Sequence, residues 1–407
     1  MIAFHFPPVA MGSGHLRTLG FVRNLPALGW EPIVLSANAS AYPRVDVANN
    51  KLIPADCHVH RAFALDARRH LGIGGKYPAF LAQPDRWACW WPAAVWQGLR
   101  LIRRHRVGAI WSTYPIMTAH CIADTLSRLT GLPWLADFRD PVASSVESGN
   151  RFSVSSQKRW EQRVLARATR VVFTTPGALR GYAGRFPDSA QAGRLAVIPN
   201  GYDETALANL PTTVDRRLRR RLRLVHSGIL YPEGRNPVPF FTALANLRAA
   251  GILADDDIEI VLRASGSETA YAEEIRRRDL GNMVTLAPPI SNREALHEQS
   301  DADALLLFQG ARYDRQIPAK VYEYLRIGRP IFALVGEGGD TAELLRDTGG
   351  AAQVPVDDVS AIECGFVEFI KALRDGHAPV ADASVVERYS RYQGAVALSR
   401  LLDEVAG

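Results

Sequence analysis

The sequence predicts an α/β protein built as two doubly wound domains, each a parallel sheet with helices on both faces. Three observations lead there. The chain has 407 residues, too many for one ordinary core. Apolar stretches of strand length alternate with helical patterns of ten or more residues. That alternation runs twice, on either side of a polar, Arg-rich segment from Thr205 to Arg223.

In the first half, Ile2–Phe6 reads as a strand, Gly14–Leu28 as a helix with apolar residues at helical spacing, and Glu31–Ser36 as the next strand. A loosely patterned stretch reaches about Pro84. Ala93–His105 is an amphipathic helix, Ala109–Ser112 a strand, and Ile116–Thr130 a helix ended by Gly131. Pro133–Asp137, Arg170–Thr174 and Leu195–Pro199 are strands, separated by helices at Ser155–Ala168 and Gly177–Phe186. The second half repeats the theme. Strands are expected at Arg223–Ser227, Asp257–Ala264, Val284–Leu286, Ala304–Phe308 and Pro330–Val335. Helices are expected at Pro237–Ala250, Tyr271–Leu280, Arg293–Ser300, Lys320–Ile327 and Thr341–Asp347. Two wound sheets in series are expected to meet at a deep cleft, with ligands at the carboxyl ends of the strands. The boundaries expected are 1–198 and 199–384, with a helix at about 385–407 packing back on the first domain.

With 47% hydrophobic and 22% charged residues the chain has the composition of a globular protein. No stretch approaches the roughly 20 apolar residues of a membrane span, and the start of the sequence lacks the pattern of a signal peptide. Cys57, Cys89, Cys121 and Cys364 are scattered, with no CxxC pair. A disulfide framework or metal site is therefore not expected, and the cytoplasm is the expected setting. Residues 1–198 carry 24 Lys and Arg against 11 Asp and Glu, a net +13, whereas 199–407 carry 24 against 31, a net −7. The basic half is expected to meet something anionic. The six arginines between Arg216 and Arg223 lack interleaved aromatics and read as a solvated linker, not a nucleic-acid site.

Five segments carry candidate chemistry. Pro7 to His15 places Gly12 and Gly14 between the first strand and a helix, where small residues let backbone amides approach a phosphate. Trp134-Leu135-Ala136-Asp137-Phe138-Arg139-Asp140-Pro141 ends a strand in three charges, which puts Asp140 where a ligand can use it. An Asp–Arg pair fixing the loop is the alternative. Pro199-Asn200-Gly201-Tyr202-Asp203 sits at the domain junction, as a hinge or a ligand contact. The loop from Gly228 to Pro237 holds Arg235 just before a helix, an arrangement suited to a diphosphate. In Ile317-Pro318-Ala319-Lys320-Val321-Tyr322-Glu323-Tyr324-Leu325-Arg326-Ile327-Gly328-Arg329-Pro330-Ile331, Lys320 and Glu323 share a face of a helix's first turn. There a carboxylate can accept from vicinal hydroxyls and an ammonium can sit near phosphate, or the two form a surface ion pair.

This ordered set resembles the GT-B family 4 glycosyltransferases along nearly the whole chain, closest to the bacterial branch that makes surface polysaccharides. The resemblance implies two Rossmann-like domains facing a central cleft and a nucleotide-sugar donor, usually UDP-linked. It also implies no cofactor or metal, and sugar transfer with retention to a glycan or lipid-linked acceptor. By position, Glu323 matches the glutamate that holds the donor ribose. Gly12 and Gly14 match the N-domain loop at the donor phosphate, and Arg235 falls beside the place of the basic diphosphate ligand. Lys320 belongs to the EYL-type variant of the motif. His120, in Ser112-Thr113-Tyr114-Pro115-(x)4-His120, resembles the histidine near the reacting sugar; read on its own, it is a core histidine on an apolar helix. Two positions depart from the pattern. Arg315 stands eight before Glu323, where a second glutamate is usual, and Ile229 replaces the arginine after the loop glycine.

Trp87, Trp90, Trp91 and Trp96, followed by Arg100, Arg103, Arg104 and Arg106, resemble an interfacial helix. Peripheral contact with an anionic membrane, on the inner face of the cell membrane, is one expectation; ordinary helix packing is the other. The activities left open are sugar transfer, a GT-B UDP-sugar 2-epimerase, and a non-catalytic sugar-nucleotide-binding or scaffold protein.

Overall fold

The computed structural model describes residues 1–10, 14–72, 77–142, 151–208, 210 and 220–407. The chain divides into two compact units: Met1–Asn200 with Arg391–Gly407, and Gly201–Ser390.

Unit 1 contains β1 (Ile33–Ala37), β2 (His58–Ala62), β3 (Ile110–Thr113), β4 (Trp134–Phe138), β5 (Arg170–Phe173) and β6 (Leu195–Val197). Its longer helices are α1 (Gly14–Asn24), α2 (Trp90–His105), α3 (Met117–Thr130), α4 (Arg151–Arg167) and α5 (Pro176–Arg185), with a C-terminal helix, Arg391–Ala406. All strand pairs are parallel: β1 with β2, and β3-β4-β5-β6 in that order. Ile2 bridges to Leu35 and to Ser112 and so joins the two sheets.

The strand expected at Ile2–Phe6 is reduced to these two bridges at Ile2. Past Ala3 the backbone turns to side-chain partners: the Phe4 carbonyl accepts from Ser36 Oγ at 3.2 Å and from the Tyr42 hydroxyl at 2.8 Å. With its carbonyl taken by side chains, Phe4 has no ladder to continue.

Helix ends follow local chemistry. The Thr175 side chain accepts from the Ala178 N–H, and Pro176 opens α5. Gly131, at φ 74°, closes α3 by donating its N–H to the Ser127 carbonyl. The C-terminal helix lies on α1, and its Ala395, Leu398 and Leu402 share a core with Phe21, Leu25 and Trp111. Gly20 permits this approach, since a Cβ there would lie 2.8 Å from Cδ of Arg391.

Unit 2 contains β7 (Leu222–Ser227), β8 (Ile258–Arg263), β9 (Val284–Ala287), β10 (Ala304–Gln309), β11 (Ile331–Val335) and β12 (Ala351–Pro355). Its longer helices are α6 (Val238–Ala249), α7 (Glu268–Arg277), α8 (Asn292–Asp301), α9 (Ala319–Ile327), α10 (Asp340–Thr348) and α11 (Val359–Arg374). The sheet is wholly parallel in the order β12-β11-β10-β7-β8-β9. This is the 3-2-1-4-5-6 order of a Rossmann sheet, and it places the topological switch between β7 and β10. Every residue of β10 is buried, as a central parallel strand covered on both faces requires.

The sequence reading passed over β2, β12 and α11. The linker residues Arg216, Arg217 and Arg219 lie outside the described residues.

The tryptophan-rich segment is corrected in part. Trp90 has no exposed surface, and Trp87 and Trp91 pack against the unit 1 core. Only Trp96, 62% exposed, stands clear, with the Arg100 guanidinium over its ring. Trp87 and Trp90 pack on the Phe4 ring, and Trp91 donates its indole N–H to Thr125 of α3. Among the described residues no helix is long and apolar enough to cross a membrane.

Candidate functional site

In unit 2 the carboxyl ends of β7 and β10 bring four polar side chains together at the switch point. His226 is the penultimate residue of β7, and Gln309 is the last of β10. After β7 the chain turns at Gly228, φ 110°, and at Gly234, φ 116°, both left-handed conformations that favour glycine. Gly234 is also sterically required, because a Cβ there would lie 2.9 Å from the Tyr313 ring. Arg235 follows, and α6 begins three residues later.

Arg235 is held on three sides. Its Nε donates to Gln309 Oε1 at 2.8 Å, and its guanidinium lies over the rings of Tyr231 and Tyr313, 5.6 and 5.2 Å from their centroids. Gln309 is fixed in turn, donating from Nε2 to the carbonyls of Tyr313 and Gln316. Lys320 enters from the first turn of α9, its Nζ 3.2 Å from Nε2 of His226. A Cβ at position 228 would lie 2.8 Å from that nitrogen, so the ammonium rests directly against the loop after β7.

The electrostatics of this pair are unusual. Neither Arg235 nor Lys320 has a carboxylate within ion-pair distance among the described residues. Burial pushes the Lys320 amine down to about 7; the Arg235 charge adds to this, and Glu323 opposes it. Burial also lowers Arg235. Two half-buried cations that repel one another, with no counter-ion among the described residues, leave positive charge at the switch point that an anion could offset. Glu323, half-buried, lies on the same helix as Lys320 and acts on it through its field; the surface ion pair between them is not formed. Ile229, in the loop after β7, is 49% exposed, and Arg315 is exposed.

In unit 1 the charged end of β4 splits into two functions. Asp137, fully buried, receives Arg17 through Nη2 at 2.8 Å and Nε at 3.1 Å, and Thr113 Oγ1 at 2.9 Å. Arg17 also donates to the Pro199 carbonyl at 2.9 Å, so this pair ties α1, β4 and the Pro199-Asn200 turn together. Arg139 turns the other way and lies under the start of α1. A Cβ on Gly14 would fall 2.0 Å from its Nη1, so a larger residue there would displace the guanidinium. Arg139 has Asp140 Oδ2 at 3.5 Å from its Nε and His5 Nδ1 at 3.5 Å from its Nη2. Burial lowers Arg139, with Asp140 and Asp137 opposing. Burial, then Arg139 and His15, push His5 down to about 3. Gly14 and Asp140 thus meet at Arg139; Gly12 lies outside the described residues.

His120 is corrected. It has no exposed surface, its Nδ1 lies 2.7 Å from Ser112 Oγ, and it packs among Tyr114, Trp134 and Phe138. Burial holds its ring down to about 3. In the structure it lies in the unit 1 core, with Nε2 buried and without a hydrogen-bond partner among the described residues.

Sequence reasoning missed His226, Gln309, Tyr231, Tyr313 and Arg17. For the first two a signal existed: Gln309 is the lone polar side chain at the carboxyl end of an apolar strand, and His226 lies beside Ser227 at the carboxyl end of another. Among the described residues no group of three or more His, Cys, Asp or Glu is placed to hold a metal ion.

Comparison with known proteins agrees with this architecture. Residues 13–201 match the profile of the family described as glycosyl transferase 4-like domain. No curated protein matches the chain in sequence. Among solved structures, sucrose-phosphate synthase from Thermosynechococcus elongatus superposes with a TM-score of 0.69 at 14% identity, covering 99% of this chain and 98% of that one. Anabaena Alr3699/HepE in complex with UDP-glucose gives 0.65 at 13% identity, covering 99% of each. A UDP-N-acetylglucosamine 2-epimerase gives 0.53 at 12%, covering 99% and 94%. The fold is that of the GT-B glycosyltransferases, two Rossmann-like α/β domains. At these identities the likeness speaks for the fold alone.

Proposed function

We propose that the protein is a retaining glycosyltransferase that moves a sugar from a nucleotide-sugar, UDP-linked, to a glycan or lipid-linked acceptor in cell-surface polysaccharide biosynthesis. The observation that carries this reading is the Arg235–Lys320 pair, two cations without a carboxylate partner among the described residues, at the switch point of a Rossmann sheet. As the glycosidic bond breaks, negative charge develops on the leaving diphosphate. Fixed cations in a partly dry site offset it without a metal. Arg235 supplies a planar fork and Lys320 a point charge. In this reading Glu323 accepts from the donor ribose, and Gly12 and Gly14 admit the donor phosphate to the loop before α1. Unit 2 takes the nucleotide-sugar. Unit 1 takes the acceptor, with Asp140 as its catalytic carboxylate.

The same reading places the protein in the cytoplasm, peripheral on the inner membrane face. It is supported by the net +13 of residues 1–198 and by a groove lined with Arg61, Phe63, Trp96, Arg100, Arg103 and Arg104. Phe63 and Trp96 are 58% and 62% exposed there, an arrangement suited to lipid headgroups.

The likeness to a 2-epimerase favours one rival, and a third reading keeps donor binding without turnover, on the strength of Arg315 and Ile229. A thermal-shift panel of nucleotide-sugars identifies the donor, since a ligand of the native state raises its stability. The selected donor is then incubated with the enzyme and polyprenyl-diphosphate-linked sugars. Acceptor-dependent release of UDP supports transfer. Conversion of the donor sugar to its C2 epimer without acceptor overturns it in favour of epimerisation, and binding with neither outcome leaves a binding protein.

A further inference from the structure

His226 is completely buried, and three groups crowd its two ring nitrogens. Nδ1 lies 2.9 Å from the Leu306 carbonyl oxygen. Nε2 lies 3.1 Å from the Gly228 carbonyl oxygen and 3.2 Å from Nζ of Lys320. A neutral imidazole has one donor and one acceptor, so these contacts select a tautomer. With the proton on Nε2, the Nδ1 lone pair would face the Leu306 carbonyl at 2.9 Å, two acceptors in contact inside the fold. The Lys320 ammonium would then face an N–H. With the proton on Nδ1, the Leu306 carbonyl accepts it and the Nε2 lone pair accepts from Lys320, which leaves one acceptor contact, with the Gly228 carbonyl at 3.1 Å, against the two mismatched contacts of the other tautomer. The doubly protonated ring would set a second cation beside Lys320 and Arg235, in a place where burial already disfavours charge.

We propose that His226 is a positioning residue: pinned as the Nδ1–H tautomer by the Leu306 carbonyl, it accepts a hydrogen bond from Lys320 and holds that ammonium against the Gly228 loop, aimed at the bound diphosphate. This rests on reading the Arg235–Lys320 pair as the diphosphate site. The charged groups acting on Lys320 are Arg235, from the loop before α6, and Glu323, from α9 itself. Neither is placed to orient the amine, because the first repels it and the second makes no ion pair with it. Only His226 lies within hydrogen-bond distance of Nζ among the described residues. The side chain of a lysine carries several rotatable bonds. Without a partner the ammonium would swing away from Arg235, whose charge it meets at close quarters. The ring therefore converts a flexible charge into a fixed one before the ligand arrives.

The experiment uses UDP as probe and calorimetry on the full chain in EDTA. Four variants accompany wild type: His226→Asn, His226→Gln, Lys320→Met and the double variant His226→Asn/Lys320→Met. An asparagine offers an amide near the Nδ1 position but has no atom at Nε2. A glutamine carries its amide oxygen out to the Nε2 position. His226→Asn is expected to weaken UDP roughly tenfold, the scale of a hydrogen bond to a charged group. His226→Gln is expected to recover most of that loss. In the Lys320→Met background the asparagine is expected to cost nothing further, because its effect runs through the lysine. Equal losses in both backgrounds, or no loss in the single variant, overturn the proposal while leaving the diphosphate site intact. If wild type binds no UDP, the reading of the site fails and this inference falls with it. The tautomer is checked on the unmutated protein from imidazole 15N shifts. A proton on Nε2 overturns the proposal whether or not any variant folds.

Discussion

Nζ of Lys320 lies 3.2 Å from Nε2 of His226, and neither Lys320 nor its neighbour Arg235 has a carboxylate within ion-pair distance among the described residues. A lysine facing a neutral histidine and a second cation is a poor arrangement for the empty protein. It becomes a good one when a dianion arrives, which makes the site's electrostatics testable without knowing the acceptor.

Binding should take up a proton at alkaline pH. The Lys320 amine is held down to about 7, so it is charged below that value and neutral above it. A bound diphosphate stabilises the charged form and raises its pKa. Affinity for UDP-glucose, whose diphosphate does not titrate near neutrality, should therefore fall as pH rises from 7 to 9. Calorimetry at pH 8 in buffers of different ionisation enthalpy should show proton uptake, and Lys320→Met should abolish it. Uptake that persists in Lys320→Met would assign the proton elsewhere.

Glu323→Ala should weaken UDP by roughly ten- to a hundredfold, the loss of about 1.5–3 kcal/mol of charge-assisted hydrogen bonding to ribose hydroxyls. The side chain is half-buried on the surface of α9, so the melting temperature should change little. UDP affinity equal to wild type would remove Glu323 from the site.

His120→Leu should act on stability and not on turnover. Its ring is held at about 3 against an ordinary 6.5, so the fold favours the neutral form. That contribution is complete above about pH 6.5 and is lost as pH falls toward 3. The variant should melt lower at pH 7.5, by roughly 1–3 kcal/mol for the broken bond to Ser112. It should also lose stability less steeply in acid; His5, held to about 3 as well, keeps its own share. A fall in kcat larger than a hundredfold in a well-folded His120→Leu would return this residue to the active site.

Binding to vesicles of anionic lipid should be salt-dependent, since attraction between exposed charges is screened over about 8–10 Å at physiological ionic strength. Trp96→Ala with Phe63→Ala should weaken it, whereas a change at Trp90 should only unfold unit 1, because Trp90 is wholly buried. Equal sedimentation with neutral and anionic vesicles at every salt concentration would count against this surface.

Much of the fold was legible because a parallel α/β sheet writes itself plainly. Ala304–Phe308 is an unbroken apolar run, and Gly131 and Gly328 close helices in the left-handed conformation that glycine favours. What was not legible depends on long-range packing. Ile2–Phe6 has the composition of a strand, yet Ser36 and Tyr42 capture the Phe4 carbonyl from distant positions. His120 and His226 look alike in sequence, each a lone histidine beside apolar residues. Only the structure separates a core ring bonded to Ser112 from one bonded to Lys320. Arg235 and Lys320 were legible from their loops and helix starts. Of the side chains that hold them, Gln309 lies 74 residues from Arg235 and His226 lies 94 from Lys320, Tyr313 comes from the same distant segment as Gln309, and none carries a motif of its own.

The central claim is that Arg235 and Lys320 grip a nucleotide diphosphate without a metal, and a titration of UDP into wild type and Arg235→Ala in excess EDTA tests it most directly. The expected result is saturable binding by wild type, unchanged by added magnesium. Arg235→Ala should bind at least tenfold more weakly, and Arg235→Lys should fall between, since a point charge replaces a bidentate fork. Wild-type binding that appears only when magnesium or manganese is restored, or an Arg235→Ala protein with wild-type affinity, would contradict the account.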